Sequence, residues 1–319
     1  MEGDARLATE IGERAQGRRD IDARPLCAGV VLTRLAGFYT VQLEDGQTIR
    51  CVLRGKVRKH KVVLAGDRVR VRLVGPGEGA IEAVMPRTSC LQRPPIANVT
   101  RLVVVAALAR PDPDLLLTDR LLVVGEAEGL KPVVCLNKAD LVEQARAREI
   151  ADLYAGAGYP TVVTSARTGQ GLDELAGWLQ GHIGTLTGPS GVGKSALINA
   201  LSPQAKAPTG ELSEKGNRGR HTTRAVRLLP LAGGGLLADT PGFSRLDLAG
   251  IEPRRLGHLM PDVRRWSDQC HFRADCLHRS EPGCAVQAAV QRGEIAAVRY
   301  RHYLRLLDEV LEMEARRYL

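Results

Sequence analysis

Hydrophobic and polar residues alternate in short runs between Cys27 and about Arg87. Five runs, separated by turn signals such as EDGQ and GPGEG, are GVVLTRL, FYTVQL, TIRCVLRG, DRVRVRLV and AIEAVM. In DRVRVRLV the alternation places Val69, Val71 and Leu73 on one face and three arginines on the other. Five short strands without a helical period predict a small β-barrel, most simply an OB-fold.

A different pattern begins after a proline-marked segment, RTSCLQRPPIANVT, which we interpret as a linker. Apolar strands then alternate with helices, which is typical of a doubly wound, parallel α/β sheet. The predicted strands are RLVVVAAL, KPVVCLNK, PTVVTSA, IGTLTG, RAVRLLPL and GGLLADT. The predicted helices cover residues 114–128, 141–155, LDELAGWL and Lys194–Leu201, and the sequence from Pro253 onward is helical and basic.

Charge suggests a polyanionic partner. The formal net charge of the 319 residues is +9, and nine Lys or Arg residues but one Asp lie between Arg50 and Arg72. A solvated basic face is the simpler reading, but this run is dense and lies in a barrel type that often binds nucleic acid, so we expect RNA binding. Neither a signal-peptide core nor an apolar run of membrane-spanning length is evident, and we expect a cytoplasmic protein without a membrane partner.

The sequence GPSGVGKS fits the phosphate-binding pattern G-x-x-x-x-G-K-[ST] between a predicted strand and a predicted helix. Backbone N–H groups of such a loop wrap phosphate oxygens, while the lysine holds the β and γ phosphates and the serine binds Mg²⁺. Lys194 therefore also has a catalytic role, and Ser195 is a Mg²⁺ ligand. The predicted phosphate-binding residues are Gly188, Pro189, Ser190, Gly191, Val192, Gly193, Lys194, Ser195 and Ala196.

The sequence NKAD, at the end of the strand KPVVCLNK, fits the guanine-reading pattern N-K-x-D. The carboxylate of Asp140 can accept hydrogen bonds from the N1–H and N2 amine of guanine, whereas adenine presents an acceptor and lacks the amine. Asn137 would brace the loop and the stem of Lys138 would cover the ring. Ser165 and Ala166, in TSAR at the end of the next strand, complete the predicted base site, with the Ala166 N–H directed at the guanine carbonyl oxygen.

The sequence DTPG follows the apolar strand GLLAD. Asp239 would reach Mg²⁺ through water, and Gly242 would offer its N–H to a γ-phosphate. A second match to D-x-x-G, at Asp247, follows no strand. Phe243 stands where ordinary GTPases often carry a water-orienting glutamine, so another group must serve that role.

The sequence RHTT contains the nearest candidate for orienting water, His221. Contact with RNA is the alternative role for this histidine. Thr222 and Thr223 lie beside it, and one of them should complete the Mg²⁺ shell when GTP is bound.

The order of these motifs is rotated, because the guanine motif precedes the phosphate loop. Read cyclically from the phosphate loop, the motifs GPSGVGKS, RHTT, DTPG, NKAD and TSAR follow the ordinary GTPase order. Each ends a strand of one predicted sheet, and ligands of doubly wound folds bind at that edge. The sequence therefore predicts a circularly permuted GTPase domain that binds GTP or GDP with Mg²⁺.

Three cysteines and one histidine crowd together after this domain: Cys270, Cys276, His278 and Cys284. Three thiolates and one imidazole make a suitable tetrahedral shell for one Zn²⁺. Four protein ligands leave no open position, so we expect a structural role for the metal. Buried cysteines without a metal are the alternative.

The permuted order, the barrel and the Cys/His cluster together resemble one family, the small-ribosomal-subunit-dependent GTPases called RsgA or YjeQ. The resemblance covers about residues 25 to 310 and is carried by LAGDRV, RTSCLQRP, GPSGVGKSALIN, GRHTTR, DTPGF and C-x-H-x5-C. It implies GTP hydrolysis during late maturation of the small ribosomal subunit, stimulated by that subunit and its rRNA, and it leaves assembly factors open as further partners. The family has four residues between its first two cysteines where this chain has five, so either the loop bulges or His271 replaces Cys270 as ligand.

These features predict a flexible tail over residues 1–24, an OB-fold RNA-binding barrel over 25–90, a circularly permuted GTPase domain over 98–250 and a zinc-binding helical domain over 251–319. We expect a monomer. The alternative function is a GTP-sensing RNA- or DNA-binding regulator with negligible hydrolysis, which the missing glutamine leaves open.

Overall fold

The computed structural model describes residues 24–55, 62–92, 94–202, 226–239 and 248–317. The chain divides into two compact units, one of residues 1–98 with 220–228 and one of residues 99–219 with 229–319. The second unit holds the phosphate loop, NKAD, TSAR and the cysteine cluster, whereas RHTT falls in the first. The predicted boundary at residue 250 stays a prediction.

The first unit is a closed five-stranded barrel, as the alternating pattern predicted. β4 pairs with both β5 and β1, so the strand order β1-β2-β3-β5-β4 returns to its start. β3 and β5 run parallel, and the other neighbours run antiparallel. Val69 and Val71 are buried, whereas Arg68 and Arg70 are exposed. The strands are β1 (Leu26–Leu35), β2 (Phe38–Leu43), β3 (Thr48–Leu53), β4 (Arg68–Gly75) and β5 (Glu78–Val84).

The proline-marked segment is more ordered than the linker we predicted. β6 (Cys90–Gln92) and β7 (Pro95–Ala97) form a two-stranded antiparallel hairpin. The buried Asn98 side chain fixes its end by accepting from the Thr88 N–H at 2.8 Å and donating to the Gly66 carbonyl at 2.9 Å. The sequence pattern did not predict these strands because proline lowers strand propensity. Proline is nevertheless tolerated in an edge strand, and both strands of a two-stranded hairpin are edge strands.

The second unit contains a five-stranded parallel sheet. Its strand order is β10-β9-β8-β11-β13. The strands are β8 (Val99–Ala107), β9 (Lys131–Asn137), β10 (Thr161–Val163), β11 (Ile183–Thr187) and β13 (Leu236–Asp239), while β12 (Arg227–Pro230) spans the division between the units. The helices between them are α1 (Leu115–Ala127), α2 (Gln144–Gly156), α3 (Leu172–Leu179) and α4 (Lys194–Leu201).

The predicted helix over residues 141–155 begins three residues later, at Gln144. Lys138 has a left-handed backbone with φ of 65°, and residues 139–141 form a separate 3-10 turn before an extended Val142. This turn gives the NKAD residues their own loop between β9 and α2. The apolar pattern could not separate that loop from the helix that follows.

The C-terminal part of the second unit is helical. Its apolar side chains share one core with the outer face of α1, where Val123 and Val124 are buried. The helices are α5 (Pro253–Leu256), α6 (Pro261–Ser267), α7 (Ala285–Gln291) and α8 (Ala297–Arg317). None of the described helices is long and apolar enough to cross a membrane.

A buried ionic cluster lies within this core, which we call the Arg299 cluster: Arg299, Asp119, Asp262 and His302. The guanidinium donates to both Asp262 oxygens at 2.9 Å and to one Asp119 oxygen. His302 Nδ1 lies 2.6 Å from the other Asp119 oxygen. Burial opposes the charge, but Asp119 and Asp262 raise the pKa of Arg299 above its usual range. The cluster joins α1 to α6 and α8.

Candidate functional site

The phosphate loop connects the fully buried β11 to the start of α4. Gly188 has φ of +146°, and a Cβ there would lie 2.2 Å from the Val105 carbonyl oxygen. Gly193 has φ of +97°, and a Cβ there would lie 2.3 Å from Asn137 Nδ2. Only glycine fits at these two positions, because the neighbouring strand and the guanine motif approach the loop so closely.

Lys194 reaches back over this loop. Its Nζ donates to the carbonyl oxygens of Gly188 and Pro189, each at 2.7 Å. Burial lowers the pKa of Lys194. The amine thus lies where phosphate oxygens can replace the two carbonyls as acceptors, and a charged acceptor would make stronger hydrogen bonds than they do.

The buried Asn137 side chain links its own motif, NKAD, to the phosphate loop and to TSAR by hydrogen bonds. Its Nδ2 donates to the Val192 carbonyl of the phosphate loop at 2.9 Å. Its Oδ1 accepts from Thr164 Oγ at 3.3 Å and from the Ala166 N–H at 3.2 Å, both in TSAR. The bracing that we predicted for Asn137 is present, whereas the Ala166 N–H that we expected to face the guanine oxygen is directed at Asn137.

Asp140 has one hydrogen-bond donor on each carboxylate oxygen. Ser165 Oγ donates to Oδ1 at 2.6 Å, and Arg167 Nε donates to Oδ2 at 2.8 Å. The Ser165 hydrogen bond, followed by that of Arg167, lowers the pKa of Asp140, so it is a carboxylate at neutral pH. We had assigned no role to Arg167, although it is the last residue of the quoted TSAR motif.

Lys138, the second residue of NKAD, extends to the loop that follows β8. Its Nζ donates to the carbonyl oxygen of Arg110. This contact holds the lysine stem alongside the loop, consistent with the predicted cover for one face of a base.

Asp239 ends β13, directly beside β11 in the sheet. The carboxylate is therefore at the same sheet edge as the phosphate loop, where Ser195, the second residue of α4, is exposed. Carboxylate and hydroxyl oxygens suit Mg²⁺. His221, Thr222, Thr223 and Gly242 lie outside the described residues, so their assigned roles stay predictions.

The four predicted zinc ligands are buried together, with their ligand atoms all within 4.8 Å of one another. Cys270 Sγ lies 3.9 Å from Cys284 Sγ, and His278 Nδ1 lies 3.4 Å from Cys270 Sγ and 3.6 Å from Cys284 Sγ. A tetrahedral Zn²⁺ with ordinary bond lengths requires about 3.8 Å between sulfurs and about 3.6 Å between sulfur and nitrogen. The spacing of the donor atoms fits zinc.

The surroundings of His278 also suit a metal ligand. Its Nε2 lies 3.2 Å from Ser267 Oγ, which itself donates to the Val263 carbonyl at 3.0 Å. Ser267 Oγ can therefore accept a hydrogen bond from a protonated Nε2, which leaves Nδ1 unprotonated and free to bind a metal, as is usual for metal-bound histidines. His271, the alternative first ligand, is exposed and packs edge-on against the Phe272 ring, whereas Cys270 is in the cluster.

The model of the RsgA GTPase family matches residues 84–249, and that of the RsgA N-terminal domain matches residues 28–81. The small ribosomal subunit biogenesis GTPase RsgA of Moorella thermoacetica is 50% identical over 90% of this chain and 98% of its own length. The protein of the same name from Geobacillus kaustophilus is 43% identical over 91% of this chain and 100% of its own.

Two solved structures share the fold. YjeQ from Thermotoga maritima superimposes with a TM-score of 0.77 at 37% identity, covering 90% of this chain and 99% of that one. YloQ, described as a circularly permuted GTPase, gives 0.76 at 37% identity, covering 90% and 96%. These matches confirm the permuted arrangement and favour an enzyme over a GTP sensor without hydrolysis. With its barrel, rotated motif order and Cys/His cluster, the chain belongs to the RsgA family of GTPases.

Proposed function

We propose that this GTPase binds the small ribosomal subunit during the late maturation of that subunit and that the subunit stimulates its turnover. The observation that carries the GTPase part of the proposal is the Asn137 side chain, which joins the phosphate loop to the base-reading loops at one sheet edge. Such a site is assembled before the nucleotide arrives. The name of the relatives, small ribosomal subunit biogenesis GTPase, supports the choice of partner.

The barrel supports an RNA partner. Arg68 and Arg70 are exposed on β4, and the Arg50 guanidinium lies 3.6 Å from the centre of the Phe38 ring. Phe38 keeps 40% of its surface exposed. Cations that neutralise phosphates, beside a partly exposed aromatic face, are what single-stranded or irregular RNA requires.

The nucleotide would be held by the residues that the motifs predict. The phosphate loop and Lys194 bind the phosphates, and Asp140 reads guanine. Ser195 and one of Thr222 and Thr223 would bind the Mg²⁺ that the GTPase family requires, and Asp239 would reach it through water. His221 orients the attacking water, because Phe243 has no group able to do so.

The buried cysteine cluster would hold one structural Zn²⁺ through Cys270, Cys276, His278 and Cys284. Zinc supplies charge that stabilises three neighbouring thiolates and thereby fastens the loop between α6 and α7. Without a cation, burial raises the pKa of the Cys276 thiol and the group stays neutral. A partner on the ribosome also implies a cytoplasmic location, and we expect a monomer with assembly factors as further partners.

The test is GTP hydrolysis with and without purified small subunits. We expect slow turnover alone and strong stimulation by small subunits but not by large ones. Equal rates in all three conditions would contradict the proposal. Removal of residues 1–90 should weaken binding and stimulation while leaving nucleotide affinity intact, because the basic barrel is then absent.

Asp140→Asn is the matched test of the base reader. The new amide can donate to the C2 carbonyl of a xanthosine nucleotide, so affinity should move from GDP to xanthosine diphosphate. Equilibrium binding of fluorescent nucleotides measures both. Unchanged GDP affinity in this variant would remove Asp140 from the site.

A further inference from the structure

The carboxylate of Asp140 is held at both ends by the TSAR turn. Ser165 and Arg167 belong to the same tight turn, in which the Gly169 N–H donates to the Ser165 carbonyl at 2.9 Å. The Thr168 N–H also donates to Ser165 Oγ at 3.2 Å. The two donors that contact Asp140 are therefore fixed relative to each other by one piece of backbone.

The two side chains that donate to Asp140 do not fill all of its acceptor positions. A carboxylate offers about four lone-pair sites, two on each oxygen. Ser165 uses one site on Oδ1, and Arg167 uses one on Oδ2. Guanine presents two parallel donors, its N1–H and its N2 amine, and needs one free site on each oxygen. With both oxygens held, the carboxylate plane is fixed before the base arrives.

We propose that Arg167 is a positioning residue for guanine selectivity, which holds the Oδ2 end of Asp140 so that both guanine donors are met at once. The inference rests on the proposed function, because it takes Asp140 as the base reader. With the Ser165 hydrogen bond to Oδ1 as its only side-chain contact, the carboxylate could still turn about its Cβ–Cγ bond. A base with two donors loses more from that rotation than a base with one.

The prediction compares GDP with inosine diphosphate, which lacks the N2 amine. The Arg167 side chain is 74% exposed, so its hydrogen bond is weak, and Arg167→Ala should reduce GDP affinity by about 2- to 5-fold. Affinity for inosine diphosphate should change less, so the ratio of the two affinities should fall. Arg167→Lys should restore part of the ratio, because lysine keeps a charged donor.

The matched control is Arg148→Ala, which removes the same charge from an exposed position on α2. Both variants and the wild type are titrated with fluorescent diphosphates at one ionic strength. Tighter GDP binding by Arg167→Ala would overturn the proposal, because Arg167 would then occupy the place of the base. An equal loss of affinity for both nucleotides would overturn it as well, since Arg167 would then act only through its charge. No loss for either nucleotide would overturn it too, since Arg167 would then have no effect on binding.

Failure of this inference is distinguishable from failure of the proposed function. If Asp140→Asn loses GDP while Arg167→Ala keeps the wild-type ratio, Asp140 remains the base reader and only the role of Arg167 is wrong. If Asp140→Asn binds GDP as the wild type does, the base site itself is misassigned.

Discussion

Replacing Arg299 with methionine should destabilise the second unit more than any other single change we name. The side chain is 1% exposed and sits between two carboxylates that are 0% and 5% exposed. Methionine fills a similar volume but cannot donate. Asp119 would lose the guanidinium and keep His302, and Asp262 would lose both of its hydrogen bonds from the guanidinium.

The magnitude follows from the fate of the two aspartates. Removing one partner of a buried ion pair costs about 3–5 kcal/mol, because an uncompensated charge stays in the interior. The rings of Tyr154 and Tyr159, whose centres lie 5.8 and 5.5 Å from the guanidinium carbon, would also lose a cation–π contact. We expect a loss of about 4 kcal/mol in the free energy of unfolding, within the range for a broken buried pair.

Urea unfolding, followed by circular dichroism and tryptophan fluorescence, measures this loss. Trp178 lies on α3 and Trp266 on α6, so fluorescence reports on both the sheet and the C-terminal helices. Arg301→Met, an exposed position on the same helix, is the control and should change stability by less than about 0.5 kcal/mol. A loss below about 1 kcal/mol for Arg299→Met would refute the reasoning. Adding Asp119→Asn and Asp262→Asn to that variant should recover part of the loss.

Three further predictions concern the site itself. Asn137→Ala should abolish measurable GTP binding and lower the free energy of unfolding by about 1–3 kcal/mol, since it leaves buried partners in two loops unpaired; calorimetry and urea unfolding test this, and intact binding would contradict it. Metal analysis should find one zinc per chain, lost in Cys276→Ser but kept in His271→Ala; zinc retained by the serine variant would exclude the cluster as its site. His221→Ala should keep nucleotide affinity yet lose subunit-stimulated hydrolysis, and full stimulated turnover would remove this histidine from the mechanism.

Local patterns predicted most of the fold because the relevant forces are local. Alternation specified the barrel strands, and glycine spacing specified the phosphate loop, where φ values of +146° and +97° exclude other residues. The hairpin of β6 and β7 escaped because its prolines resemble a linker. The start of α2 was misplaced because an apolar pattern cannot distinguish a 3-10 turn from a helix.

Contacts between distant segments could not be predicted in the same way. Arg299 and Asp119 are 180 residues apart, and neither stands out, because the sequence is rich in arginine and Asp119 belongs to no motif. Arg167 was visible as the last residue of TSAR, but its contact with Asp140 depends on the backbone of the turn. The four residues of the Cys/His cluster were predictable as a set because three of the seven cysteines lie close to His278 in the sequence. The choice of Cys270 over His271 required the structure, in which Cys270 is buried in the cluster and His271 is exposed.

The hydrogen bonds of Asn137 explain why the rotated order of the motifs leaves the geometry of the nucleotide site intact. They connect residues 55 and 29 positions apart in the sequence, so the three loops are held by side-chain contacts across the sheet edge. Covalent continuity between the loops contributes nothing to that arrangement. The polypeptide can therefore be opened at one loop and joined at another without disturbing the site, and the new ends attach a barrel and a helical segment that carries the cysteine cluster.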